Sequence, residues 1–169
     1  MITIFLDIDG VLTTISEFFS STKEFWEKNP WAKEISIPHP FNEKCVKVLN
    51  TILSTFECQI VLTSDWKLKN SLKELDIIFK NFGVIQSPIG VTKNFKDENI
   101  DLNRVCEIIH YIANNDNNVD INKYIILDDL NLGRHMPRRM FDNFIETDIE
   151  TGLYDDEVID KLLNKLKSF

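Results

Sequence analysis

The sequence has few of the residues on which several classes of protein depend. Its three cysteines, Cys45, Cys58 and Cys106, are odd in number and widely scattered. They are too few for a disulfide framework, and their spacing lacks the paired motifs of a zinc site. Each lies within an apolar pattern, so we expect reduced cysteines in the core of a cytosolic protein.

The sequence also lacks an apolar run long enough to cross a bilayer. No signal peptide precedes its first apolar segment, which begins at the second residue. We therefore expect a cytoplasmic location and no membrane partner. The sequence does not indicate a particular protein partner.

Positive charge is scarce as well, with 19 Lys and Arg against 27 Asp and Glu and a net charge of −8. A surface of this sign repels nucleic acids and anionic membranes overall. A polyanionic partner would therefore have to be met by a local basic patch.

The sequence does contain an alternation of short apolar segments with amphipathic ones over 169 residues. The apolar segments predict strands at the start of the chain, at 58–62, around Val84 and Ile85, at 124–127 and at 144–147. Apolar residues at helical spacing predict helices after Asn42, over 68–82 before Gly83, after Asp101 and over 154–166. This order predicts one domain, residues 1–169, with a three-layer, Rossmann-like α/β fold and a mainly parallel sheet.

Residues 13–40 form a segment without regular pattern that is rich in aromatic side chains, namely Phe18, Phe19, Phe25, Trp26 and Trp31. Two interpretations stay open: a flap or minimal cap over the strand ends, or rings that pack against the body of the domain. A segment of fewer than about 40 residues is too short for a cap domain with its own core. We therefore expect strand ends that are covered only by loops.

Two carboxylates follow the first predicted strand. Asp7 and Asp9 come at the end of a segment apolar enough to be buried on both faces, and Gly10 permits a sharp exit. Because side chains alternate along a strand, we expect both carboxylates on the same side. Two neighbouring acids repel each other, and a bound metal ion is the simplest relief.

Two further predicted strands end in polar residues. Thr63 and Ser64 follow the second strand, and Asp128 and Asp129 follow the strand at 124–127. Right-handed crossovers between parallel strands bring such ends to one edge of the sheet. Four carboxylates, two hydroxyls and a cation at one edge suit phosphoryl transfer through an aspartyl-phosphate.

These segments resemble motifs of the haloacid dehalogenase (HAD) superfamily of phosphatases. Residues 5–12, Phe-Leu-Asp-Ile-Asp-Gly-Val-Leu, are similar to its first motif, Leu62 with Thr63 to its second, and residues 126–129, Ile-Leu-Asp-Asp, to its fourth. Residues 61–67, 104–108 and 147–153 further resemble the branch found in Swiss-army-knife RNA-repair proteins. The resemblance covers nearly the whole chain and implies a HAD-like fold with a minimal cap.

The resemblance implies roles for the four carboxylates. Asp7 would be the nucleophile and a metal ligand. Asp9 would protonate the leaving oxygen and lend its backbone carbonyl to the metal. Asp128 and Asp129 would hold Mg²⁺, directly or through water.

The resemblance also implies a phosphate-binding set. Thr63, together with Ser64, would hydrogen-bond the phosphoryl oxygens, and Arg104 would be the third-motif cation in the first turn of a helix. Lys93 is the alternative for that cation, because the superfamily usually has lysine there. Lys67 stands where the RNA-repair branch usually has arginine, which makes it a candidate substrate contact.

The sequence therefore predicts a magnesium-dependent phosphatase with a phosphorylated substrate. The RNA-repair relatives favour nucleic-acid ends, and Arg134, His135, Arg138 and Arg139 form a basic segment for them, although a solvated basic turn fits equally. A nucleotide or small phosphomonoester is the alternative substrate. A rival of another class is an inactive HAD-fold module that binds a phosphorylated partner, but such a module has no need of Asp9.

Overall fold

The structure is a computed structural model that describes residues 1–20, 23–35, 37–95, 99–114 and 119–169. In these residues the centre of the molecule is one sheet of five strands: β1 (Ile2–Leu6), β2 (Cys58–Leu62), β3 (Gly90–Val91), β4 (Tyr124–Asp128) and β5 (Phe144–Glu146). The strands lie in the order β3-β2-β1-β4-β5, and every neighbouring pair is parallel. The first strand is thus central, and its last residue, Leu6, is in register with Leu62 of β2 and Leu127 of β4.

The α-helices of the described residues are α1 (Ile15–Ser20), α2 (Lys23–Lys28), α3 (Trp31–Glu34), α4 (Glu43–Thr55), α5 (Leu72–Asn81), α6 (Ile100–Asn114), α7 (Arg138–Phe141) and α8 (Asp156–Lys167). Short 3₁₀ helices at Asp65–Leu68, Leu132–Arg134 and Gly152–Tyr154 follow β2, β4 and β5. No described helix combines the length and the apolar character that a membrane span requires.

Helices cover both faces of the sheet. Ile4 and Leu6 of β1 belong to the larger core, which also takes in the buried faces of α4, α5 and α8. Phe5 lies in the smaller core with Val105 and Ile108 of α6. The strands β1, β2 and β4 are buried on both faces, as their continuous apolar sequences indicated. The predicted three-layer α/β fold with a mainly parallel sheet is confirmed.

The third strand lies later in the chain than predicted. It is Gly90–Val91, which pairs with Val61 and Leu62, whereas Val84 and Ile85 lie outside the sheet. This strand has only two residues, at the edge of the sheet. Its sequence therefore lacks the run of apolar residues from which a strand is predicted. The strand predicted around Val84 is therefore wrong.

Helix α5 is shorter than predicted. The side chain of Ser71 accepts the backbone N–H of Glu74, and the side chain of Glu74 accepts the backbone N–H of Ser71. This capping box begins the helix at Leu72. Leu68 and Leu72, which we predicted on the buried face, are exposed. Gly83 follows the helix with φ +78°, the left-handed conformation expected of a terminating glycine.

The caps of α4 and α6 differ in how well sequence predicted them. Asn42 caps α4 as predicted, because its Oδ1 accepts the N–H of Lys44 and Cys45. Helix α6, in contrast, begins two residues before the predicted start, since Asn99 Oδ1 accepts the N–H of Leu102 at 3.0 Å. The prediction of Asp101 as its cap is wrong.

Most of the residues described between 13 and 40 are helical rather than irregular. Helix α1 begins directly after Thr14, whose backbone N–H and hydroxyl both donate to Glu17 Oε2 at 3.0 and 2.6 Å. Helices α2 and α3 follow it. The prediction of irregular structure is therefore wrong, whereas a role of this segment as a flap or minimal cap stays a prediction.

The aromatic side chains of this segment have different surroundings. Phe25 stacks on Phe82, and Trp31 meets the same ring edge to face, so these two pack against the body of the domain. Phe19, in contrast, is 84% exposed. The side chain of Trp26 lies outside the described part of the structure.

The cysteines are free, as predicted, but only two of them are in the core. Cys45 and Cys58 are buried, and burial raises the pKa of each thiol to about 11. Cys106 is exposed on α6, which corrects the prediction of a core residue. It lies between the buried residues Val105 and Glu107, on the outer side of the helix.

Candidate active site

The ends of three neighbouring strands bring the predicted site residues to one edge of the sheet. Asp7 follows β1 and donates its backbone N–H to Leu127 of β4 at 3.0 Å. Thr63 follows β2 and donates its backbone N–H to Leu6 at 2.9 Å. Asp128 is the last residue of β4. The sheet register therefore sets Asp7 between Thr63 and Asp128.

Three carboxylates converge at this edge. Asp7, Asp128 and Asp129, called the acid cluster below, each offer an oxygen that lies within 4.8 Å of the others. Burial, with repulsion from Asp7, raises the pKa of Asp128 well above its usual range. The same two causes raise the pKa of Asp129 to about 6. The cluster thus concentrates negative charge where water is largely excluded.

Arg104 of α6 is the cation nearest to these acids among the described residues. Its Nη1 lies 2.7 Å from Asp128 Oδ2, 3.3 Å from Asp7 Oδ1 and 3.4 Å from Thr63 Oγ1. Burial alone would lower the pKa of Arg104, but Asp7 and Asp128 raise it above its ordinary value. The guanidinium therefore stays charged beside the Asp7 carboxylate and the Thr63 hydroxyl.

Lys93, the alternative third-motif cation, has different surroundings. Its side chain is exposed, and its Nζ lies 5.4 Å from the centre of the Phe95 ring. No described ion pair joins it to the acid cluster. Arg104 lies in the second turn of α6 rather than in the first, because the helix begins at Ile100.

The acid cluster fits a divalent cation that prefers oxygen ligands. Asp128 Oδ1 accepts the N–H of Leu130 at 3.1 Å and Oδ2 accepts the bond from Arg104, so its carboxylate is held from both sides. Each of its oxygens keeps a further lone pair for a metal. The repulsion that raises the pKa of Asp128 and Asp129 is what a bound cation would relieve.

Asp9 stands apart from the acid cluster and has its own hydrogen-bond donors. Trp66 Nε1 donates to Asp9 Oδ2 at 3.1 Å, and the hydroxyl of Thr13 donates to Oδ1 at 3.1 Å. Burial, followed by repulsion from Asp7, raises the pKa of Asp9. A carboxyl group of this kind can carry a proton closer to neutral pH than an exposed aspartate can.

Gly10 allows the loop after β1 to approach Asp129, just after β4, closely. It has φ +72°, and a Cβ at this position would lie within 2.6 Å of three side-chain atoms of Asp129. The hydroxyl of Thr147, just after β5, donates to the carbonyl of Gly10 at 2.8 Å. The segment after β5 therefore fixes the loop that carries Asp9.

Lys67, predicted as a candidate substrate contact, is buried beneath Thr63. Its side chain is 3% exposed, and its Nζ lies 2.6 Å from Glu107 Oε2. It also donates to the carbonyl of Thr63 and to Thr92 Oγ1. Burial lowers the pKa of Lys67, and the hydrogen bond that Lys67 donates to Glu107 partly offsets this shift. In this arrangement Lys67 supports Thr63 from below.

The remaining residues that we predicted as phosphate or substrate contacts are Ser64 and the arginines after β4. Ser64 is buried, and its hydroxyl accepts the backbone N–H of Trp66 at 3.4 Å, which begins the 3₁₀ helix after β2. Arg134 and Arg138 are exposed on the segment that follows β4. Arg139 lines a cavity with Tyr124, the first residue of β4, away from the strand ends that hold the acids.

Sequence reasoning gave no role to Trp66, Thr13 and Glu107. Trp66 and Glu107 lie within the segments that resemble the RNA-repair branch, residues 61–67 and 104–108. The sequence does not show which side chains they contact. Thr13 directly follows the first motif. Their partners are acquired only when distant parts of the chain meet.

Fold and site together define this chain as a HAD-type α/β domain. It belongs to the family described as the HAD domain in Swiss Army Knife RNA repair proteins, whose sequence profile matches residues 3–158. The resemblance stated from the sequence is thereby confirmed. Such membership supports a phosphatase-type hydrolase as the class of activity, and HAD domains typically use a metal ion.

A solved structure gives the same fold. The HAD domain of the effector protein Lem4 from Legionella pneumophila, an inactive mutant, matches with a TM-score of 0.56 and 12% sequence identity. The match covers 98% of this chain and 94% of that chain. None of the curated protein sequences matches the chain significantly.

Proposed function

We propose that this protein is a magnesium-dependent phosphatase that works through an aspartyl-phosphate on Asp7. The observation that carries the proposal is the acid cluster at the strand ends, with Arg104 against two of its members. A separate carboxyl group, Asp9, stands two residues from the nucleophile and is held by its own donors. An inactive phosphate-binding module would need the cation but not this second acid.

In the first step, a carboxylate oxygen of Asp7 attacks phosphorus and the bond from phosphorus to the leaving oxygen breaks. Asp9 gives its proton to that oxygen. In the second step, water attacks the aspartyl-phosphate and gives its proton to the Asp9 carboxylate. The products are inorganic phosphate, free Asp7 and a protonated Asp9, so the cycle closes.

The other residues bind charge in both steps. Thr63, Ser64 and Arg104 would hold the phosphoryl oxygens, because a buried guanidinium and hydroxyl groups stabilise an anion that water does not reach. Asp7, Asp128, Asp129 and the carbonyl of Asp9 would hold Mg²⁺. When bound, this ion would neutralise charge that develops on the phosphoryl group.

We further propose that the substrate is a phosphate at the end of a nucleic acid. The family is described from RNA repair proteins, and the exposed Arg134 and Arg138 follow the metal-binding strand. The described residues between 13 and 40 form short helices of at most six residues, which supports strand ends without a separate cap domain over them. A nucleotide or small phosphomonoester remains the competing substrate, since the net charge is −8.

The test is hydrolysis of 4-nitrophenyl phosphate by the purified protein with Mg²⁺ and with a chelator. We expect turnover that requires Mg²⁺, and an Asp7→Asn variant should lose about 10³-fold or more in kcat. Asp160→Asn, which neutralises an exposed acid on α8, is the matched control and should keep wild-type activity.

Two results would contradict the proposal. Absence of turnover, or turnover that a chelator leaves unchanged, would favour the inactive phosphate-binding module. Substantial activity in Asp7→Asn would show that another group is the nucleophile. A ³¹P or mass-spectrometric signal for phosphorylated Asp7 in rapidly quenched protein would support the covalent step directly.

A further inference from the structure

The side chain of Trp66 is directed at the carboxyl group that we propose as the general acid. It lies on the 3₁₀ helix after β2, and its indole N–H donates to Asp9 Oδ2 at 3.1 Å across 57 residues of chain. The ring is 4% exposed and packs against Phe41 with 5.7 Å between the ring centres. A buried indole N–H normally requires a partner, and here the partner is a carboxylate of the site.

The second donor to Asp9, the hydroxyl of Thr13, is not restricted to one acceptor. The hydroxyl of Thr13 has one hydrogen and two acceptors within reach, Asp9 Oδ1 at 3.1 Å and the carbonyl of Ile8 at 3.3 Å. A hydroxyl can rotate to serve either acceptor, whereas the indole N–H is fixed by its ring. The two oxygens of Asp9 therefore differ in their hydrogen bonds. Oδ2 accepts from an indole N–H of fixed direction, whereas Oδ1 accepts from a hydroxyl that can rotate to another acceptor.

We infer that Trp66 is a positioning residue for proton transfer by Asp9. Its N–H keeps Oδ2 an acceptor, so that Oδ1 is the oxygen that gives the proton to the leaving group and takes one back from water. Thr13 turns to the carbonyl of Ile8 when Oδ1 carries the proton. This inference rests on the proposed function and narrows its substrate class to alkyl phosphates, whose leaving oxygens need a proton most.

The experiment compares two substrates of similar size in the same variant. The leaving group of 4-nitrophenyl phosphate is a weak base that departs without a proton, whereas benzyl phosphate releases an alkoxide that requires one. We expect Trp66→Phe to lower kcat/KM for benzyl phosphate about tenfold more than for 4-nitrophenyl phosphate, a part of the usual contribution of a general acid. The ratio of the two kcat/KM values does not depend on how much of the variant is folded.

Trp31→Phe is the matched control. It also removes one indole N–H, which donates to Asn29 Oδ1 at 3.2 Å, but in α3 rather than at the site. Its ratio of kcat/KM values should equal that of the wild type. The same ratio should shift in Asp9→Asn, which removes the acid itself.

The outcomes separate this inference from the function on which it rests. If Trp66→Phe lowers kcat/KM equally for both substrates, Trp66 only packs and the inference is overturned, while the phosphatase stands. If the wild type hydrolyses neither substrate with Mg²⁺, the proposed function fails and the inference falls with it.

Discussion

At the scale of the residue, Arg104 holds the acid cluster together. It lies within 3.3 Å of Asp7 and within 2.7 Å of Asp128, and it is nearly fully buried. An acid cluster without this cation would contain several buried charges of one sign. The same guanidinium is the group that we propose for the phosphate, so binding and stability share one side chain.

We expect Arg104→Ala to impair both properties. Loss of a buried partner should destabilise the magnesium-free protein by about 3–5 kcal/mol, and loss of a charge opposite the phosphoryl group should lower kcat/KM by about 10²–10³-fold. Urea unfolding in chelator and steady-state kinetics measure the two effects. Lys93→Ala is the control, since Lys93 is exposed, and damage from it with a neutral Arg104→Ala would reverse the assignment of the third-motif cation.

The pair formed by Lys67 and Glu107 is the second buried charge pair at this scale. Its members lie 2.6 Å apart with side chains that are almost inaccessible to solvent. Glu107 Oε2 also accepts the hydroxyl of Thr92, while Oε1 accepts the backbone N–H of Phe95. These donors favour the charged form of Glu107. Removal of Lys67 would therefore leave a buried negative charge without a counter-ion, which lowers the stability of the folded state.

We expect Lys67→Met to lower the free energy of unfolding by about 3–5 kcal/mol, because Glu107 keeps its charge without a partner. Adding Glu107→Gln should recover part of that loss, since the amide is neutral and keeps an acceptor. Urea unfolding of the single and double variants measures the coupling. Lys80→Met in the exposed pair with Asp76 should cost no more than about 0.5 kcal/mol, and simple additivity at Lys67 and Glu107 would refute the coupling.

At the scale of the element, the loop after β1 and the end of β4 are built against each other. Gly10 has no side chain, and the carboxyl group of Asp129 occupies the space in which a Cβ would lie. The backbone at Gly10 is also left-handed, with φ +72°. Glycine is therefore required twice, for conformation and for space.

Gly10→Ala and Gly83→Ala form a matched pair of variants. Both residues have positive φ, but a Cβ at Gly83 would meet no atom within 4 Å. Each substitution should cost about 1–2 kcal/mol of stability through backbone strain. Gly10→Ala should in addition displace Asp129 and lower kcat by about 10²-fold, whereas Gly83→Ala should keep its kinetics. Equal kinetics in the two variants would mean that Asp129 is not required at its present position.

Helix α6 contributes buried charges of both signs to neighbouring strand ends. Arg104 reaches the acid cluster, and Glu107, one turn later, reaches Lys67 below Thr63. Residues three apart lie on the same face of a helix, so one face carries both contacts. The orientation of α6 on the sheet therefore determines both the position of Arg104 at the acid cluster and that of Glu107, which pairs with Lys67 below Thr63.

At the scale of the whole molecule, net charge opposes the substrate that we favour. The chain carries −8, so that the field of the surface repels a polyanion at low salt. Arg134 and Arg138 would have to provide a local attraction that exceeds this repulsion. Salt dependence separates the two contributions, because contacts with phosphates weaken as salt rises.

We expect a 3′-phosphorylated oligonucleotide to have a higher kcat/KM than the corresponding 3′-mononucleotide, and this advantage to fall as salt is raised. Arg134→Glu with Arg138→Glu should remove the advantage and leave the mononucleotide rate unchanged. Lys47→Glu with Lys73→Glu, on α4 and α5 at the other face of the sheet, is the matched change of charge. An oligonucleotide that is no better than the mononucleotide would leave a small phosphomonoester as the substrate.

The sequence by itself determined the strands that carry the acids and the edge at which they meet. The strands at 58–62, 124–127 and 144–147 were predicted nearly to the residue. The first two are buried on both faces, and such segments have a strong apolar signal of their own. Asp7 and Thr63 directly follow buried strands and Asp128 ends one, and the register of the parallel sheet then brings the three together. The local caps at Asn42 and Gly83 were equally readable.

Only the tertiary structure decided the partners of the charged and polar side chains. Lys67 pairs with Glu107 across 40 residues, and Trp66 donates to Asp9 across 57. The exposure of Leu68 and Cys106, and the two-residue edge strand β3, were likewise absent from the local pattern. Apolar periodicity reports which face of an element is buried, but a hydrogen-bond partner depends on how whole helices rotate and pack on the sheet.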